Sequence, residues 1–406
     1  MGSSIPAFGW EVSTVNHKIL LENGQELGED ILGLPEDKFR PVVRDGKIHD
    51  MEFKGEPISY LRDVVKRFVK SKVAVVAFSI IVIIVFMAIV GPYMSGYGYL
   101  EQNNFKVNLP PRVPGLEKLG ICDGSKIISI QAANLEKYSD TLIGVVEEFE
   151  HTSRGNTTKM LRIKINVYAQ TGIEYPDSGV ENAYHWFGTD SVGRDLFSRV
   201  WMGTRVSLTL AFSVVLINLT IGLIVGSVAG YYGGWVDFIL VRMMEILNYI
   251  PQLPLAILLI MFFGAGLSSM MLLFILTGWI GMAYSVRIQF YRFKGQEYVL
   301  ASRTMGAKDP RIMYKYILPN AIGTLITVCA LTVPSVIFQE AGLSYLGLGI
   351  QAPEPSVGTL LAEGQQLLLD YPYTIVYPGI IIVLLMLSFN LFGNGLRDAF
   401  NPSLRQ

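Results

Sequence analysis

Gly188-Thr189-Asp190-Ser191-Val192-Gly193 spaces its glycines like a loop that cradles phosphate. Such a loop closes on Lys-Ser or Lys-Thr, whose ammonium and hydroxyl hold the terminal phosphate and magnesium. Here Arg194-Asp195 follows, so nucleotide binding at this stretch is excluded. The four histidines (His17, His49, His151, His185) are scattered, and Cys122 and Cys329 are the only cysteines. Neither His-Glu-x-x-His nor a paired-cysteine spacing is present, so no metal site and no disulfide framework follow. No Ser/His/Asp set stands near an apolar run. The chain therefore reads as a non-enzyme with no catalytic residues and no cofactor of its own. Ionisable residues inside the apolar runs are scarce. Arg242 and Glu245, three apart, sit near the inner end of the third run, where they can pair, and Glu340 sits near the outer end of the fifth. A proton- or sodium-coupled carrier needs a central carboxylate or a broken-helix ion site, and neither is visible. What remains is a passive pathway driven by another subunit, with a secondary carrier as the weaker alternative.

The elements that position these residues are written in the apolar runs. Of 406 residues, 51% are hydrophobic and 17% charged, against about 25% charged in an ordinary soluble domain. A helix needs about 20 apolar residues to cross a bilayer core. Val73–Val90, Val206–Tyr232, Ile317–Gln339 and Tyr371–Leu396 each approach or exceed that length without a charge. Ile246–Val286 is long enough for two spans, with Gly264-Ala265-Gly266-Leu267-Ser268-Ser269 as the turn between them. The fold class expected is an all-α polytopic membrane protein of six transmembrane helices. Lys54, Arg62, Lys66, Arg67, Lys70 and Lys72 precede the first run, which places the N-terminus in the cytoplasm. Six spans return the C-terminus there too. The segment from Arg287 to Lys315 is then also cytoplasmic, and it carries seven basic residues. The stretch from Ala341 to Tyr373 is external and has no Lys or Arg. Arg194, Arg199 and Arg205, on the outer side, run against this pattern. The net charge of −1 gives no footprint for nucleic acid.

Residues 1–58 form a polar cytoplasmic tail, punctuated by glycine and proline. Residues 59–94 hold an amphipathic helix, with Leu61, Val64, Val65 and Phe68 on one face, and then the first span. Residues 95–185 are an extracytoplasmic insert, expected to be small and β-rich. Lys126–Ile130, Thr141–Val146 and the alternation from Leu161 to Tyr168 read as strands. Open sheet edges cannot sit in hydrocarbon, so the insert is aqueous. It is either a decoration or a docking surface for an external partner. Residues 186–406 contain the other five spans.

Between the fourth and fifth spans lies EYVLASRTMGAKDPRIMYKYILPN, residues 297–320. Tyr298, Ala301 and Met305 mark one helical face. Gly306 breaks it, and Asp309-Pro310 restarts a helix with Asp as cap and Pro in its first turn. Ile312, Met313 and Tyr316 give the second helix a face, and Pro319 turns the chain into the fifth span. The expectation is two short helices, 297–305 and 309–316, with cationic side chains around them. That shape suits a helix-in-groove partner as well as a plain amphipathic connector.

The same segment resembles the signature loop of ABC-importer permeases, EAA-x3-G-x9-I-x-LP. Ala301, Ser302, Gly306, Leu318 and Pro319 stand in its register. Leu300 replaces the motif's Glu, Ser302 its second Ala and Tyr316 its Ile, while Glu297 supplies an acid one turn earlier. HWFGTDSVGRDLFSRVWMGTRVSL, AGYYGGWVDFILVRMMEI, EAGLSYLGLGIQAPEPSVGTLLAEG and FNLFGNGLRDAFNPSLR are similar to stretches of the oligopeptide/dipeptide C-type permease subunits. The resemblance covers about 185 to 405 and the first span with its helix, and reaches neither the tail nor most of the insert. It implies type I ABC-importer architecture and a bacterial plasma-membrane location. The implied partners are a second homologous permease, two cytoplasmic ATPases holding ATP and Mg, and an extracytoplasmic substrate-binding protein. Peptide would be the substrate, with nickel or glutathione as the alternative. The resemblance makes Glu297, Tyr298, Ala301, Ser302, Arg303, Gly306, Asp309, Arg311, Tyr316, Leu318 and Pro319 the ATPase-coupling loop. Glu340, Leu346, Gly347, Pro353 and Pro355 belong to the external loop. Asn218, Gln252 and Asn390, with Thr220 and Asn248, are polar candidates for the pathway wall, where helix–helix hydrogen bonding is the competing role.

Overall fold

The computed structural model describes residues 60–153 and 156–400. The expected 1–58 tail lies outside them. Helix α1 (Tyr60–Lys70) and helix α2 (Lys72–Val90) are separated at Ser71, whose hydroxyl caps α2 by accepting from the Ala74 amide at 3.4 Å. Val64 of α1 is buried, and Phe68 meets Phe392 edge to face, so α1 packs back on the last helix. Gly91-Pro92 ends α2, as proline's missing N–H dictates.

The insert is a three-stranded antiparallel sheet, β1 (Ser125–Gln131), β2 (Leu142–Ser153) and β3 (Asn156–Asn166), in the order β1-β3-β2. Period-two alternation puts Leu161, Ile163 and Ile165 on one face, buried with Ile130 beneath the 3-10 turn Ala132–Tyr138. Arg162 and Glu147 pair across strands on the other face at 2.8 Å. Helix α3 (Val167–Glu174) follows, and its buried Tyr168 donates to the Pro110 carbonyl at 2.9 Å. The Lys126 ammonium lies 3.7 Å from the Tyr371 ring, tying the sheet to the helices.

The remaining helices are α4 (Leu196–Tyr232), α5 (Gly234–Asn248), α6 (Gln252–Phe263), α7 (Leu267–Phe293), α8 (Glu297–Thr304), α9 (Asp309–Ile312), α10 (Leu318–Tyr345), α11 (Val357–Gln366) and α12 (Tyr373–Phe400). Five of the described helices are long and apolar enough to cross a membrane, or six if the pair α5–α6 counts as one broken span. α4 and α7 approach closely along Gly222, Gly226 and Gly230. A Cβ on Gly222 would stand 2.8 Å from Met282 Cβ, and one on Gly230 2.6 Å from the Arg287 carbonyl oxygen. Small residues four apart let backbones meet where lipid offers no hydrophobic drive to associate.

Three expectations need correction. The third span does not start at Ile246. The helix pair in its place begins at Gly234 and bends by 77° between Asn248 and Gln252, where Pro251 denies the helix a donor. Pro319 does not turn the chain. Residues 313–317 form a π-helical turn that takes up the missing N–H, and α9 runs through it into α10 as one continuous helix. Asp309 is not the cap; Lys308 holds that position and Asp309 lies inside the first turn. The external loop contains α11, started by a capping box between Ser356 and Thr359.

Candidate functional site

Two polar assemblies sit at opposite ends of the bundle. Ser207 and Tyr231 of α4 mark them, and helical rise over the intervening residues separates them by about 36 Å, more than the roughly 30 Å of a hydrocarbon core.

At the first end the Gly188–Gly193 loop holds itself and two arginines. Asp190 accepts from the Val192 and Arg194 amides at 3.0 and 2.9 Å. It also accepts from Arg194 Nε at 2.7 Å and Arg199 Nη1 at 2.5 Å. Arg199, 0% exposed, forks onto Glu363 of α11 at 2.6 and 3.1 Å. Arg205 gives its guanidinium to the Ala88 and Ile89 carbonyls at the end of α2. These are the three arginines that ran against the charge pattern. None of them is a free surface charge, so they carry little weight in setting orientation. Glu340, 0% exposed, accepts from Ser207 at 3.0 Å and from Ser344 and Ser356, both at 2.7 Å. It thereby joins α4, α10 and the start of α11. Leu346 is exposed at the end of α10, Gly347 takes φ +77°, Pro353 is exposed and Pro355 buried.

At the second end α8 lies on the α7, α9 and α10 termini. Val299 and the partly alkyl-shielded Ser302 face inward, with Val299 clustering with Phe290, Ile312 and Ile317. Ser302 satisfies its hydroxyl on the Tyr298 carbonyl at 2.7 Å, which lets a polar residue occupy the motif's alanine position. The face read from sequence, Tyr298, Ala301 and Met305, points outward, with Met305 79% exposed. Leu300 is exposed beside it. Gly306 takes φ +81°, as the bend requires, and the Ala307 amide closes onto the Ser302 carbonyl at 3.1 Å. Glu297 and Arg311 are exposed, Tyr316 and Leu318 half-buried, Pro319 exposed.

Sequence reasoning missed the residue that holds this bend. Tyr231, at the end of α4, donates its hydroxyl to Asp309 Oδ1 at 2.6 Å and accepts from Arg303 Nη2 at 2.9 Å. That acceptor raises the Arg303 pKa above its ordinary value. The only signal was Tyr231 within AGYYGG, which says nothing of a partner 78 residues on. Nearby, Arg287 forks onto Asp237 at 2.5 and 2.6 Å, fixing α5 to the end of α7.

The polar span residues do not converge on one wall. Asn218 is buried and donates to the Phe274 carbonyl at 3.2 Å, a contact between α4 and α7. Thr220 bonds its own helix at Leu216. Gln252 donates to Gln339 at 3.2 Å, while Asn248 and Asn390 are exposed.

The profile of the family described as "Binding-protein-dependent transport system inner membrane component" matches residues 222–406. That described as "N-terminal TM domain of oligopeptide transport permease C" matches residues 59–111. The oligopeptide transport system permease protein OppC of Bacillus subtilis (strain 168) is 34% identical over 373 residues, 92% of this chain and 99% of that protein. This chain belongs to the oligopeptide/dipeptide ABC permease family. The dipeptide transport system permease protein DppC of the same organism is 35% identical over 86% of this chain and 88% of its own length. A glutathione transport system permease protein, GsiD of Pectobacterium atrosepticum, is 37% identical over 54% of this chain and 73% of its own. Membership also fixes the architecture as a type I importer permease.

Proposed function

We propose that this permease forms, in a bacterial plasma membrane, half of the translocation pathway of an ATP-driven importer of oligopeptides or dipeptides. The observation that carries the reading is the near end-to-end match to a relative named for oligopeptide transport, where the glutathione relative matches only about half the chain. A second homologous permease completes the pathway, a binding protein delivers substrate outside, and two cytoplasmic ATPases hold ATP and Mg. Glutathione, itself a small peptide, is the second reading.

In this proposal the α8–Gly306–α9 segment is the coupling element. Its outward Tyr298, Leu300, Ala301 and Met305 enter a groove on the ATPase, with Arg303 and Arg311 on the rim. Because α9 is continuous with α10, a displacement at α9 moves that span as one rod, while Gly306 lets α8 tilt. At the far end the same rod carries Glu340 into the contact with α4 and α11. Closure of the ATPases thus biases both mouths at once, through differential contacts in two states. Termini on the ATPase side follow from this orientation. The test is ATP turnover by the complex in vesicles on adding peptide-loaded binding protein. Stimulation that survives reversal of charge at Arg303 and Arg311 would sink the coupling assignment.

A further inference from the structure

Between α7, α10 and α12, near the end that carries α8, lies a cavity of about 430 Å³. Gln289, Arg292, Thr324, Thr327, Leu331 and Arg397 line it. Its floor exists because α10 and α12 meet closely. A Cβ on Gly393 would stand 2.6 Å from Leu331 and one on Gly323 2.6 Å from Phe400. No carboxylate lines it, and neither arginine has an ion-pair partner among the described residues. Gln289 Oε1 is buried with no donor facing it. The cavity therefore offers two unneutralised guanidinium forks, the Thr324 hydroxyl and one unsatisfied amide acceptor. Arginine forks match a carboxylate bidentately. An amide oxygen without a donor matches an N–H, and costs free energy until it finds one. A ligand carrying a carboxylate and an N–H a few bonds apart satisfies the whole set, and pockets of this volume suit small organic molecules.

We infer that this cavity binds the C-terminal carboxylate of a short peptide, as a way station on the release side of the pathway. The inference rests on the importer reading above and adds to it a place and a recognised group. The guanidiniums of Arg292 and Arg397 take the carboxylate, and Gln289 takes an N–H of the same molecule. Thr324 and Thr327 line the same wall one helical turn apart on α10, and Thr327 already donates its hydroxyl to the Gly323 carbonyl at 3.0 Å. A phosphatidylglycerol headgroup presents charge to the guanidiniums but has no N–H for Gln289.

The test uses the complete complex with its ATPases, in nanodiscs of neutral lipid, without binding protein. Equilibrium binding is measured for alanylalanine and for its C-terminal amide. Alanylalanine should bind, its amide should bind about tenfold or more weakly, and Arg292→Gln or Arg397→Gln should cost alanylalanine a similar factor. The Lys variants should recover part of the loss, since they keep charge without the fork. Both arginines reach solvent, so folding is not at stake, and thermal unfolding of each variant checks it. Equal binding of peptide and amide, or wild-type affinity in both Gln variants, overturns the inference. Retention of phosphatidylglycerol by the wild type and its loss in the variants, with peptide affinity unchanged, overturns it in favour of lipid. Import of alanylalanine by the wild-type complex with its binding protein separates the two layers. Import with unaltered binding in the variants sinks this cavity alone, whereas absence of any peptide import sinks the function reading beneath it.

Discussion

Tyr231→Phe removes one oxygen and tests whether the bend at Gly306 is held from α4. The side chain is buried, and its hydroxyl joins Asp309 at 2.6 Å to Arg303 at 2.9 Å. Hydrogen bonds to charged partners contribute about 1.5–3 kcal/mol each when well shielded. Here Asp309 is half-exposed and Arg303 exposed, so water replaces part of each bond. Roughly 1–2 kcal/mol in all should remain. The ring itself stays, so packing against Val286 and Phe290 is unchanged. The loss falls on the closed arrangement of α8 against α9. A free-energy change of that size is a factor of about 5–30 in an opening equilibrium. Amide exchange across residues 297–317 should therefore speed up by that factor, while exchange within α4 stays as it was. Stimulated ATP turnover should fall, because the coupling element docks from a looser ensemble. Unchanged exchange in 297–317 would refute the account of the bend.

Further outcomes follow from packing and charge. Arg199→Met removes one of the two cations that Asp190 and Glu363 share, and should cost about 3 kcal/mol at most, the lower end for a broken buried pair because Arg194 still reaches both carboxylates and Glu363 is partly exposed. Adding Glu363→Gln should recover part of it in thermal unfolding of the detergent-purified chain, since Asp190 keeps its pair with Arg194. Gly306→Ala meets nothing within 4 Å, so its cost is the positive φ alone, about 1–2 kcal/mol. Gly306→Pro also removes the amide that bonds the Arg303 carbonyl, and should abolish stimulated turnover while membrane insertion persists. Gly226→Val drives a branched side chain into the Ala283 carbonyl and Val286, and should separate α4 from α7, read as loss of the folded fraction after solubilisation.

Much of the scaffold was legible because membranes make strong demands on sequence. Uncharged runs give the spans, and Gly264 and Gly266, both at positive φ, gave the turn before α7. Leu161, Ile163 and Ile165 gave β3 through their alternation. The bend before α6 was missed although Pro251 stood in view, because a hydropathy run does not distinguish a straight helix from a broken one. The continuity of α9 with α10 was missed for the opposite reason. Proline was read as a stop, whereas a π-helical turn upstream accommodates it. The Gly222-Gly226-Gly230 stripe was visible at four-residue spacing and went unread. Partners far apart in sequence were out of reach. Nothing local ties Arg199 to Glu363, 164 residues away, or Ser207 to Glu340. Asn218 was read by residue type as a pathway candidate, and only the α7 carbonyl facing it shows an interhelical bond.

The central claim is that α8 and α9 are the place where the permease meets its ATPases. The most direct measurement is purification of the tagged permease from cells that also make the untagged ATPases, with and without Arg303→Glu and Arg311→Glu. The account predicts that the ATPases accompany the wild type and are lost from the charge-reversed permease, which still inserts. ATPases retained in full by the reversed permease, or absent from the wild type, would contradict it.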